Sequence, residues 1–156
     1  MALSLDEIDR RLLTELQADA DRTNVELARL VGLSPAATLH RVRRLKEAGV
    51  IRRITAELDP DLAGFPLRAY VSVTLARHTP TAERAFQAAL QDIPQVVVAE
   101  VVAGETDLLI QIVARDVPEL QRVLTRLSVH GAQRIVTLLH LQEIKTRSPL
   151  PLTDPA

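Results

Sequence analysis

The 156-residue chain contains no cysteine, which excludes a disulfide framework, a thiol nucleophile and a cysteine-based zinc site, and nothing in it points to export. Long apolar runs are missing as well. The opening MALSLDEIDRRLL is acidic and amphipathic, so no signal peptide or membrane span is expected there, and a cytoplasmic location without a membrane partner is the default. Catalytic signatures are also absent. There is no phosphate-binding glycine loop and no Ser-His-Asp set with a local signature, and Glu100, Glu105 and Asp107 lack the histidine a metal site would need. His40, His78, His130 and His140 are scattered over three segments without ligand spacing. The expectation is therefore a protein that is not an enzyme, with no catalytic residue, no metal and no cofactor.

What is present is a local concentration of positive charge. The formal net charge is −1, an average that hides the distribution. Residues 1–33 carry a net −3, and residues 54–156 carry another −3. Between them, Ser34 to Arg53 holds Arg41, Arg43, Arg44, Lys46, Arg52 and Arg53 against Glu47 alone, a net +5. A polyanion would bind in the first third of the chain.

Periodicity places that charge on a helix. Ser4-x-x-Glu7 has capping-box spacing, and Leu5, Ile8, Leu12, Leu13 and Leu16 then recur at helical intervals to about Ala18. Thr23-x-x-Glu26 opens a second, short helix that stops at Gly32, and Ser34-Pro35 opens a third that runs to about Ala48 before Gly49. The three-residue turn Gly32-Leu33-Ser34 matches helix-turn-helix spacing, although any antiparallel helix pair could share it.

On a wheel of about 100° per residue, Thr38, Leu39, Val42 and Leu45 form the packed side of the third helix. Ala36, Ala37, His40, Arg44 and Glu47 lie opposite, with Arg41 and Arg43 on the flanks. Small residues lead and cations follow, and residues 32–49 contain no aromatic. This pattern suits entry into a DNA major groove, where small side chains allow close approach and arginines reach bases or phosphates. Arg41 and Arg44 are expected to contact bases or phosphates, and Arg43 and Arg52 the backbone. Ser34 and the Thr23-Asn24 start of the second helix are expected to hold phosphates, while Pro35, Ala36 and Ala37 lie close to the groove. His40 is open between a base contact and a plain surface residue.

The segment VIRRITAEL suits a short strand leading out of this unit, and turn signals at Asp59-Pro60-Asp61 and Gly64-Phe65-Pro66 mark a linker. Beyond it, strands are expected at 68–75, 96–103, 108–114 and about 133–145, with helices opening at Thr79-Pro80 and at Asp116 with Pro118. Strand, helix, strand, strand, helix, strand is the ferredoxin-like βαββαβ pattern, four antiparallel strands with two helices on one face. The fold class is thus α+β: a three-helix helix-turn-helix domain followed by a ferredoxin-like domain. The expected divisions are a DNA-binding domain at 1–58, a linker at 59–66, the ferredoxin-like domain at 67–146, and a Pro-rich tail at 147–156, extended or disordered. In 96–103 and 108–113 nearly every residue on both faces is apolar, so the face without helices should meet a partner sheet.

The words LDEIDRRLLTELQADAD, TNVELARLVGLSP, HRVRRLKEAGVIRRITAELDP, VAGETDLLIQIVARD and IVTLLHLQEIK, in this order, make the whole chain resemble the Lrp/AsnC, or feast/famine, family of transcriptional regulators. The resemblance implies that the helix-turn-helix is of the winged type and that the domain at 67–146 serves effector binding and oligomerisation, with double-stranded DNA as a partner and homodimers through the sheets, often assembled as octameric rings of four dimers. It also implies an amino acid or related small-molecule effector between C-terminal domains. The loop Gly104-Glu105-Thr106-Asp107 matches the family's Gly-x-x-Asp word in that pocket, and Thr137 sits where the family has a recurring Thr. Leu108 and Leu109 depart from the aromatic often found after the Asp.

From chemistry alone, the same loop reads more readily as a hairpin turn whose Gly104 supplies positive φ and whose Asp107 bonds the backbone. The main alternative functions are an architectural octamer that wraps DNA without an effector, and an enzyme like the siroheme decarboxylases, which share the two-domain architecture.

Overall fold

The computed structural model describes residues 4–152. The chain forms two compact units: residues up to Ala56 together with the segment from Lys145 onward, and Glu57–Ile144.

The first unit is built on α1 (Glu7–Ala18), α2 (Asn24–Val31) and α3 (Pro35–Glu47). Asp6, not Ser4, caps α1: its side chain accepts the Asp9 amide while the Asp9 carboxylate accepts the Asp6 amide. Asp6-x-x-Asp9 fulfils the capping-box logic two residues later than Ser4-x-x-Glu7. Thr23 and Glu26 close the expected box on α2, and the chain then reverses at Gly32, whose φ of 72° is left-handed. Ser34 caps α3 by accepting the Ala37 amide at 3.2 Å. Leu12, Leu27 and Val31 make the buried centre, with Ile8, Leu16 and Leu33 packed around it. Each fully buried aliphatic side chain of this kind contributes roughly 1.5–3 kcal/mol.

Two expectations for this unit change. Residues 50–58 contain no strand. Their β-branched content favours extension, but a strand needs a neighbour to complete its ladder, and no described segment supplies one. The tail is extended as expected, yet it is also tied down: Gln17 and Leu150 exchange two hydrogen bonds, of 2.7 and 3.2 Å, and Arg10 donates to the Leu152 carbonyl at 3.1 Å. Residues 153–156 of the expected tail lie outside the described residues.

The second unit contains β1 (Leu67–Leu75), α4 (Pro80–Gln91), β2 (Val96–Val101), β3 (Leu108–Ala114), α5 (Val117–Val129) and β4 (Ala132–Leu139). The sheet order is β2-β3-β1-β4, and all three pairings are antiparallel, as the ferredoxin-like topology requires. Ala69, Val71, Val73 and Leu75 of β1 and Leu108, Ile110, Ile112 and Ala114 of β3 line one face with Phe86, Leu90, Leu120, Val123 and Leu127 of the helices. The last strand stops at Leu139, short of the expected Lys145, because its partner β1 begins at Leu67 and the ladder ends with the Ala69 and Leu139 pair.

The other face carries no helix. There Tyr70 pairs with Leu138 and Gln111, Ser72 with Val136 and Leu109, and Glu100 with Leu109. Leu138 is 58% exposed and Tyr70 38%.

Candidate nucleic-acid interface and effector loop

Thr38, Val42 and Leu45 of α3 are buried, and this fixes which way the rest of the helix points. Ala36, Leu39, His40, Arg43 and Glu47 are exposed, Ala37 is half-buried, and Ser34, Pro35 and Arg52 are exposed beside them. Leu39, expected on the packed side, is 45% exposed. The packed side is centred closer to Arg41 than the wheel assumed, and the rotation turns Leu39 out and brings Arg43 to the middle of the open face.

Arg41 and Arg44 are not directed outward. Arg41 donates to Asp6 Oδ2 at 2.6 Å and to Asp9 Oδ1 at 2.9 Å, and Arg44 donates to Asp9 Oδ2 at 2.5 Å. Expected as base or phosphate contacts, both arginines bind α1 instead, because Asp9 is wholly buried and a buried carboxylate must be paired. These bonds hold the Asp6 carboxyl below its usual range, the largest cause being the bond from Arg41, and they raise the Arg41 guanidinium further. Sequence reasoning missed Asp9. Its signal was an acid at position 9 within the apolar stripe of Leu5, Leu12, Leu13 and Leu16.

The two helix starts differ. At α2 the Thr23 amide and hydroxyl both donate to Glu26 Oε2, at 2.7 and 2.8 Å, so a carboxylate already occupies the positive end of that helix. Glu26 is held below its normal pKa chiefly by the Thr23 amide. Asn24 is half-buried. Thr23 and Asn24 therefore do not offer the open phosphate site that was expected. The first turn of α3 contains no acid, so no carboxylate occupies the positive end of that helix.

In the second unit, Gly104-Glu105-Thr106-Asp107 joins β2 to β3 and is bonded to β1. Thr106 Oγ1 and the Asp107 amide both donate to the Val73 carbonyl, at 2.8 and 3.0 Å. Asp107 Oδ2 accepts the Leu75 amide at 2.8 Å, and Oδ1 lies 3.8 Å from His78 Nδ1. Beside the loop is a cavity of about 130 Å³, bordered by His78, Glu83, Gln87 and Asp107 over Leu75, Phe86 and Leu108. Gly104 and Glu105 are exposed and do not line it. Thr137 pairs with Val71 on β4, with β1 between it and β3, so the structure does not bring it to this cavity. Among the described residues no group of three His, Asp or Glu gathers as a metal site, and no helix is long and apolar enough to cross a membrane.

Residues 5–52 match the model of a winged helix-turn-helix DNA-binding domain, and residues 68–150 match that of the Lrp/AsnC ligand-binding domain. The chain belongs to the Lrp/AsnC family. It is a DNA-binding transcriptional regulator with the family's ligand-binding domain. The leucine-responsive regulatory protein of Haemophilus influenzae is 35% identical to it over 151 residues, covering 96% of this chain and 91% of the relative. That of Escherichia coli K12 is 36% identical over 148 residues, with 94% and 90% covered. A transcriptional regulator from Neisseria meningitidis, solved in complex with L-methionine, superposes with a TM-score of 0.87 at 35% identity, covering 96% of this chain and 97% of that one. A feast or famine regulatory protein from M. tuberculosis, complexed with L-methionine, gives 0.84 at 32% identity, with 92% and 96% covered.

Leu39 is a further residue that sequence reasoning placed wrongly. Thr38 and Leu39 are both plausible packed positions on a wheel, and the small shift set by Arg41 separates them.

Proposed function

We propose that this regulator reads specific DNA sites with the outward face of α3, and that an amino acid or a closely related metabolite controls it through the Gly104–Asp107 loop. The observation that carries the DNA reading is the composition of that face: Pro35, Ala36 and Ala37 at the leading end, then Leu39, His40 and Arg43, with no carboxylate before Glu47. Small and apolar side chains can meet thymine methyl groups, and Arg43 can reach a guanine or a phosphate. The N-terminus of α3 with Ser34, and Arg52 beyond it, would hold the backbone.

For the effector, the family's ligand-binding domain and the two relatives solved with L-methionine support an amino acid. The cavity at Asp107, about 130 Å³, falls well below the ~300–1,000 Å³ of drug-sized ligand sites, which limits it to a small metabolite. The carboxylates of Glu83 and Asp107 would receive an ammonium group, and Gln87 and His78 the polar remainder. Gly104, Glu105 and Thr106 shape the loop rather than bind.

The bare sheet face, with Tyr70, Val136, Leu138 and Leu109, would pair with a second copy and give a homodimer capable of higher assembly up to an octamer. Light scattering of the purified protein reads that state, and a monomer at micromolar concentration would overturn it.

The effector reading is tested by thermal unfolding against each of the twenty amino acids. A ligand that binds only the folded state at ~100 times its dissociation constant adds about 2.7 kcal/mol. One or a few amino acids should raise the melting temperature, and Asp107→Asn should abolish the rise. If none of the twenty shifts the transition, an amino-acid effector is ruled out.

A further inference from the structure

We propose that Asp9 is the positioning residue of the DNA-reading helix, and that Arg41 and Arg44 are committed to it rather than to DNA phosphates. The proposal rests on the DNA face assigned above to α3.

Asp9 lies on the apolar stripe of α1 with no exposed surface, where an unpaired carboxylate would be prohibitively costly. Both of its oxygens are satisfied. Oδ1 accepts from Arg41 at 2.9 Å, while Oδ2 accepts from Arg44 at 2.5 Å and from the Asp6 amide at 3.3 Å. Asp6 completes the group: its Oδ1 accepts the Asp9 amide at 2.7 Å and its Oδ2 accepts from Arg41 at 2.6 Å. Two carboxylates thus face two guanidinium groups, and the cluster carries no net charge.

The geometry has a directional consequence. Positions 41 and 44 lie about 60° apart on the helix surface, so holding both against one buried carboxylate fixes the rotation of α3 about its own axis. That rotation turns Ala36, Leu39, His40 and Arg43 outward. It also reduces the charge that DNA meets. Of the six cations from Ser34 to Arg53, only Arg43, Lys46, Arg52 and Arg53 lack an ion pair among the described residues.

The readout is the salt dependence of binding, because each protein cation paired with a phosphate contributes about 0.9 to the slope of log K against log salt. The full chain is titrated by fluorescence anisotropy onto a mixed-sequence duplex of about 40 base pairs, which needs no knowledge of the operator. Arg43→Gln and Arg52→Gln should each flatten the slope by about 0.9 for every DNA-binding unit engaged. Arg41→Gln should leave it unchanged while weakening binding at all salt concentrations. Asp9→Asn, where circular dichroism shows it folded, should steepen the slope, since two guanidinium groups are released toward the phosphates. A merely structural role for Asp9 would weaken binding without steepening.

Arg41→Gln leaves Asp9 paired to Arg44, so this variant decides the question even where Asp9→Asn does not fold. A slope flattened by Arg41→Gln as much as by Arg43→Gln would overturn the proposal. Unchanged slopes for Arg43→Gln and Arg52→Gln would instead overturn the assigned DNA face.

Discussion

The Leu75 amide donates to the Asp107 carboxylate at 2.8 Å, so the acidic side chain of the Gly104–Asp107 loop is bonded to the end of β1. Leu75 is 5% exposed, and water does not readily replace the lost acceptor. Asp107→Ala should therefore destabilise the second unit by about 1–3 kcal/mol, the penalty of an unsatisfied buried donor. Asp107→Asn keeps an acceptor oxygen and should lose less than half as much, while removing the anion needed for an ammonium ligand. Urea unfolding of the two variants separates the structural part from the binding part. Equal stability of Asp107→Ala and the parent would show that the bond contributes nothing.

Acid should loosen the second unit through Glu119. Hydrogen bonds from the Arg115 side chain, the Arg115 amide and the Gln95 side chain lower its pKa from 4.5 to about 2. A folded pKa below the unfolded one means the unfolded chain takes up the proton first. The contribution is therefore complete above pH 4.5 and declines as the pH falls from there through about 2. Melting temperatures measured across that window should fall less steeply for Glu119→Gln than for the parent. Parallel curves would exclude this cluster as a source of acid sensitivity.

Thr38 should tolerate loss of its hydroxyl. Its Oγ1 is buried without a hydrogen-bond partner among the described residues, so Thr38→Val replaces an unsatisfied polar atom with a methyl of similar size. An increase of about 1 kcal/mol in the stability of the helical unit is expected, visible as a rise of a few degrees in its melting temperature. A lower melting temperature would mean the hydroxyl has a partner, such as a bound water.

Gly32 should resist substitution for conformational reasons alone. Its φ is 72°, and a Cβ placed there would meet nothing within 4 Å. Gly32→Ala is expected to cost about 1–2 kcal/mol, the price of a left-handed residue with a side chain. Gly32→Asn should cost less, because Asn enters that region more readily. Chemical denaturation of both variants tests the order.

Most of the architecture was legible before the structure. The caps at Thr23, Ser34, Thr79 and Asp116 stand where the sequence puts them, because a capping side chain acts over three residues and needs no tertiary partner. The four strands and two helices of the second unit appear in the expected order. Strand ends were less legible: β4 ends at Leu139 and residues 50–58 form no strand, since pairing depends on what lies alongside. On the candidate site, the exposed positions of Ala36, His40 and Arg43 follow from helical period. The roles of Arg41 and Arg44 do not.

What the sequence determined by itself is local: the helices α1 to α5, the caps at Thr23, Ser34, Thr79 and Asp116, the four strands of the second unit, and that positive charge gathers between Ser34 and Arg53. These features depend on dihedral preference, periodicity and composition over a few residues. Tertiary structure decided which of those charges remain available. Asp9 lies more than thirty residues from Arg41 and Arg44 in the chain, and no local pattern links them. Only the tertiary assembly of the helical unit buries that carboxylate, and a buried carboxylate must be paired, here with both arginines.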